Sequence, residues 1–236
     1  MKSLRRAFAL PFVRTAAAAI ATVLLCSPTP PIFADDVHAV ARAVRAPEDD
    51  VALERALATD DLEAIKSMGP GILSRLARAY AAADDAQKQR VATVLYRLGW
   101  KSEEAKDALM KDVHTPNQGL RLSVQYALGR VSSDVAVVDV LLDNMQNDAQ
   151  ILFRDKAACA LTYDQVHLTP EQKVHLYEGL IRALADPKPD VRAIAALSLS
   201  LQTGQDKGFR FADPPEVRAR AVEEWRRWLD EYRSAL

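Results

Sequence analysis

The chain repeats one local chemistry at a nearly fixed period, which restricts its fold more than any other feature. Arg90, Arg121, Arg154 and Arg192 each open an alanine- and leucine-rich helical run, and successive arginines are 31, 33 and 38 residues apart. Asp84, Asp148 and Asp186 stand six residues before Arg90, Arg154 and Arg192, whereas Arg121 has Thr115 in that place. A period of this length is two helices and their turns, so each unit is a helical pair with an apolar face that only its neighbours can cover. The expected fold is all-α, because alternating Val/Ile/Thr runs are lacking and only 8 of 236 residues are glycine.

Apolar side chains recur with helical spacing throughout. Ile72, Leu76, Ala79 and Tyr80 form one stripe, and Val91, Val94, Leu95 and Leu98 form the next before Gly99 ends it. Ser102 is expected to cap the following helix, with Glu103 and Glu104 in its first turn. Thr115-Pro116-Asn117-Gln118 reads as a second start, with Thr115 capping, and that helix is expected to stop at Gly129. The third unit joins Val138, Leu141, Leu142 and Met145 to Ala157, Ala158 and Leu161. Thr169-Pro170-Glu171-Gln172 reads as a capping box, followed by a stripe of Val174, Tyr177, Ile181 and Leu184.

The clearest unit continues through Asp186-Pro187-Lys188-Pro189-Asp190-Val191-Arg192 into Ala195, Ala196 and Leu199. This stretch resembles the HEAT-repeat family, whose units carry Asp-Pro and Val-Arg in the turn and an alanine-rich second helix. The match is strongest at 170–204; Arg90, Arg121 and Arg154 fit the same arginine more loosely, and Thr115 departs from the pattern at the aspartate. The resemblance implies a right-handed α-solenoid of stacked antiparallel helix pairs, with the second helices lining a concave face. The implied organisation is an N-terminal helical hairpin at 35–70 broken near Pro47, HEAT-like repeats at 71–212 and a capping helix at 213–236. The last helix carries Val217, Ala221, Trp225, Trp228, Leu229 and Tyr232 along one side, as a terminal cap requires.

Residues 1–34 read as a signal peptide. Lys2, Arg5, Arg6 and Arg14 precede an apolar core from Thr15 to Leu25, too short for the roughly 20 residues of a membrane span. Ser3-Leu4-Arg5-Arg6-Ala7-Phe8 resembles a twin-arginine export signal, and Val23-Leu24-Leu25-Cys26 resembles a lipoprotein attachment box with Leu25 where a small residue belongs. The expected location is therefore periplasmic or extracellular, free or anchored at Cys26. Cleavage removes those four cations and no acid from a chain of 31 basic and 32 acidic residues, leaving a net charge of −5 that disfavours nucleic-acid binding. Only Cys159 would remain, which excludes an internal disulfide, and its surroundings Ala157-Ala158-Cys159-Ala160-Leu161 suit a small buried side chain.

Chemistry-bearing motifs are sparse. There is no glycine-rich phosphate loop, HExxH, paired-cysteine zinc pattern or Gly-x-Ser-x-Gly elbow, and His38, His114, His167 and His175 do not form a ligand set. No catalytic residue, cofactor or metal is expected. The Asp/Arg recurrence reads as a stacking ladder, with each aspartate accepting at its turn and each arginine reaching the neighbouring unit's aspartate. The favoured function is non-catalytic binding of a protein partner. Its contact surface is expected at exposed second-helix positions, Gln87, Arg97, Gln125 and Lys156, with the loop Phe209-Arg210-Phe211, whose aromatic and guanidinium groups are of the kind found at binding hot spots. The rival implied by the family resemblance is a lyase-like or chromophore-handling role.

Overall fold

A computed structural model describes residues 50–236. The expected signal peptide, the lipid-box Cys26, His38, the Pro47 break and the first part of the N-terminal hairpin lie outside the described residues. Among the described residues every regular element is helical and there is no strand. The helices are α1 (50–58), α2 (Leu62–Ser67), a 3-10 turn Pro70–Ile72, α3 (Leu73–Ala82), α4 (Asp85–Leu98), α5 (Glu103–Met110) and α6 (Gln118–Val131). They continue as α7 (Val135–Asn147), α8 (Ile151–Cys159), a π-helical turn Ala160–Asp164, α9 (Pro170–Ala183), α10 (Pro189–Thr203) and α11 (Pro215–Ser234).

Contacts join helices one or two apart in the chain. Helix α3 packs on α4 and α5, α7 on α8 and α9, and α9 on α10 and α11, while α4, α6, α8 and α10 adjoin one another in series. A single hydrophobic core runs through all of these, from Leu53 and Ile65 through Leu95, Leu128 and Leu141 to Leu199 and Trp225. Burying each large aliphatic side chain contributes roughly 1.5–3 kcal/mol, so most of the stability comes from surfaces shared between successive helices.

The helix starts show how local sequence sets these boundaries. Asp84, Ser102, Asp134 and Thr169 each accept a backbone N–H at the first turn of α4, α5, α7 and α9, and Thr169 and Gln172 satisfy one another in a capping box. Two expectations are corrected at α6. Asn117, not Thr115, caps it, the Asn117 side chain accepting from Leu120 N–H at 3.1 Å. Asn117 also donates to Asp85 of α4 at 3.1 Å, so the cap is shared with the preceding unit and the start moves two residues on. The helix then continues through Gly129 to Val131. Gly129 is there for contact: a Cβ would lie 2.5 Å from Gln165 Nε2 and 2.7 Å from the Asp164 carbonyl oxygen. Gly99 and Gly204 do end their helices, at φ 63° and 72°.

Candidate functional site

The recurrent arginines are the first candidates, and most are absorbed into the packing. Arg121 forms an ion pair with Asp148, whose side chain is 2% exposed, and its guanidinium lies 4.3 Å from the centre of the Phe153 ring. Burial holds the Arg121 pKa below its ordinary value. Asp148 also accepts Gln150 N–H at 2.9 Å, and its carbonyl accepts from Arg154 Nη1 at 2.6 Å. Arg154 in turn donates from Nε to Asp190 at 3.0 Å. Asp190 therefore meets Arg154, while Asp186 accepts Lys188 N–H at its own turn, 2.8 Å away. Arg192 donates to the Asp186 and Pro187 carbonyls at 2.8 and 2.9 Å and to the Phe211 carbonyl at 3.1 Å. Arg90 is exposed and forms no ion pair with any described residue; the next unit offers Thr115 and Gly119 where the others offer Asp148 and Asp190. Between those first units the link is instead Lys88 donating to Asp112 at 2.8 Å, with the Tyr80 hydroxyl donating to the same carboxylate at 2.8 Å.

The expected binding residues divide. Gln87 and Arg97 are exposed and Lys156 is half-buried, Arg97 pairing with Asp60 and Lys156 with Asp155 at 2.8 and 2.9 Å. Gln125 is fully buried, contrary to expectation, because α6 is packed by α4, α5, α7, α8 and the π turn. Neither of its amide atoms has a hydrogen-bond partner among the described residues. Phe209 is also buried, at 4% exposure, whereas Arg210 and Phe211 are exposed. Asp206 turns the loop inward by accepting Phe209 N–H and Gly208 N–H, each at 2.9 Å, so the first ring enters the core.

A cluster that sequence reading passed over lies where α4, α6 and the π turn meet. Tyr96 and Tyr126 stand 6.1 Å apart between ring centres, and the Arg130 guanidinium lies 4.7 Å from the Tyr96 ring centre. Arg130 donates to Asp164 at 3.0 Å. Burial pushes the Asp164 carboxyl up, with Arg130 and the Tyr96 hydroxyl pulling it the other way. The nearby His167 places Nε2 2.9 Å from the carbonyls of both Gly99 and Arg130, and two carbonyl acceptors require that this nitrogen carry the proton. It thereby joins the ends of α4 and α6. Lys156 and Cys159 lie near enough to act electrostatically on the Tyr126 hydroxyl. The cysteine thiol is half-buried and its pKa is raised by that burial, the opposite of what a nucleophilic thiolate needs. His175 pairs with Asp139 at 2.6 Å, and no group of three or more metal-ligating side chains gathers among the described residues.

Next to this cluster the surface is apolar. Tyr163, on the π turn, is 60% exposed, and Leu197 and Leu201 on successive turns of α10 are 59% and 51% exposed. A hydrogen bond from Gln202 to the Thr162 carbonyl joins that end of α10 to the π turn. No helix among the described residues is long and apolar enough to cross a membrane. Compared with protein-family models, curated proteins and solved structures, the chain matches none.

Proposed function

We propose that this chain is an exported, non-catalytic protein-binding scaffold, a right-handed α-solenoid of HEAT-like helix pairs whose contact face is formed by α4, α6, α8 and α10. The observation that carries the reading is the exposed apolar and aromatic edge Tyr163, Leu197 and Leu201, with Arg97 exposed on α4 and Lys156 half-buried on α8. Exposed apolar area bordered by polar groups favours protein contact, whereas catalysis needs activated groups converging on a cleft. The raised Cys159 thiol and the Arg130-bound Asp164 do not supply them. Gln125 and Phe209 leave the proposed surface; Gln87, Arg97, Lys156, Arg210 and Phe211 stay within it.

The test places a photo-crosslinking amino acid at Tyr163 in the producing cell and compares the adducts with those of the R97E/K156E double variant. A specific adduct with the parent chain that is lost in the double variant is expected, and persists in R220E/R226E on α11. An unchanged adduct pattern sinks the proposed face. Export is tested separately, by N-terminal sequencing of the mature protein, which is expected to begin at Asp35; retention of Met1 would refute it.

A further inference from the structure

The first recurrent arginine is the one that the ladder leaves open, and it opens into a cleft. Arg121, Arg154 and Arg192 are each held by carboxylate or carbonyl oxygens of neighbouring turns, and their lengths of chain are buried or half-buried. Arg90 has Thr115 and Gly119 in the next unit instead of acids, and turns back toward α1. There it edges a cleft of about 460 Å³, within the roughly 300–1,000 Å³ usual for ligand sites. Leu57, Ala79, Ala82 and Val91 supply apolar lining, and Glu54 of α1 and Gln87 of α4 line it with Arg90. The alanines leave room for a branched aliphatic side chain, the free guanidinium selects a carboxylate, and Glu54 can accept from a peptide N–H.

An aliphatic side chain, a carboxylate and an amide N–H on one short segment describe the end of a polypeptide. We infer that this cleft captures the C-terminus of a partner protein, its last side chain aliphatic, with the terminal carboxylate on Arg90 and the chain running past Glu54. The inference rests on the protein-binding reading; the cleft shares Gln87 with the face proposed above, but Arg97 and Lys156 do not line it.

The probe is acetyl-Ala-Leu with a free carboxylate, compared with its C-terminal amide, which has the same shape without the charge. Both are titrated into the ¹⁵N-labelled protein and its R90Q variant while the amide signals of Ala79, Ala82 and Val91 and the Arg90 side-chain N–H are followed. Saturable shifts at those positions are expected, with the amide roughly tenfold weaker or more because it loses a charge-assisted hydrogen bond. R90Q is expected to keep the parent spectrum elsewhere, as Arg90 is exposed, and to bind acid and amide alike. Equal binding of the two probes by the parent protein, discrimination that survives in R90Q, or no saturable shift at the cleft would each overturn the inference. Shifts confined to Arg97 and Lys156 would overturn it too, while leaving the proposed contact face standing.

Discussion

Replacing Arg121 with Met tests whether the arginine ladder sets the stacking of the units. The substitution keeps most of the aliphatic stem but leaves Asp148, with its side chain 2% exposed, without its cation. Stranding one member of a buried pair costs about 3–5 kcal/mol; Arg121 is itself 14% exposed, so the lower end applies. Asp148→Asn should cost less, since the Gln150 N–H and Arg154 contacts can persist. In the double variant no charge is stranded, so the loss should fall short of the sum by about 1–2 kcal/mol, a coupling typical of groups in one network. Urea unfolding of all four proteins, followed by far-ultraviolet circular dichroism, measures the cycle. For a chain of this size, 3 kcal/mol corresponds to about 6–12 °C in Tm. A single-variant loss under about 1 kcal/mol, or strict additivity, would show that the pair adds nothing to stacking and refute the reasoning.

Gly129→Ala should destabilise by about 1–3 kcal/mol in the same urea assay, because its methyl meets the Asp164 backbone, and Gly179→Ala should also destabilise, because its methyl meets the buried Leu142 side chain. His167→Phe should cost about 1–2 kcal/mol by leaving the Gly99 and Arg130 carbonyls without their donor, and full stability of that variant would rule out the bridging role. The two perturbed aspartates should show opposite pH slopes. Arg154 lowers the Asp190 pKa in the folded chain below the ordinary 3.8, so its stabilisation holds above that value and fades as pH falls through the depressed pKa; Asp190→Asn should flatten the acid limb. Asp164 is raised by burial, so its contribution is present below 3.8 and is lost as pH rises through the raised pKa. Asp164→Asn should remove that decline, and thermal melts from pH 3 to about 7 read both slopes.

What the sequence made legible was local. The Thr169–Gln172 box and the glycine stops at Gly99 and Gly204 involve groups within a few residues of one another, so their spacing alone carries the signal. What it concealed depends on partners far along the chain. Gly129 looked like a stop until the π turn, 31–35 residues later, required close approach; Gln125 looked exposed until helices on both sides covered it. The π turn itself begins within Ala157-Ala158-Cys159-Ala160-Leu161, a run whose apolar pattern continues unbroken across the change in helix geometry. Tyr96, Tyr126, Arg130 and Asp164 come from three separate elements, and no spacing announces their meeting.

The irregular positions of the repeat say more about function than the regular ones. Where an acid follows in the next unit, as at Asp148 and Asp190, the arginine is committed to packing and removed from chemistry with a partner. Where Thr115 and Gly119 replace it, Lys88 and Asp112 take over the link between units, so the array retains a polar connection without Arg90. A residue whose structural duty has passed to a neighbour can change its contacts at little cost to the fold, because exposed substitutions away from the core usually move stability by no more than about 0.5 kcal/mol. Arg90→Gln should accordingly leave the urea midpoint where it is while Lys88→Met lowers it. If the two variants lose stability equally, Arg90 still serves the stack and the cleft beside it has no free cation to offer.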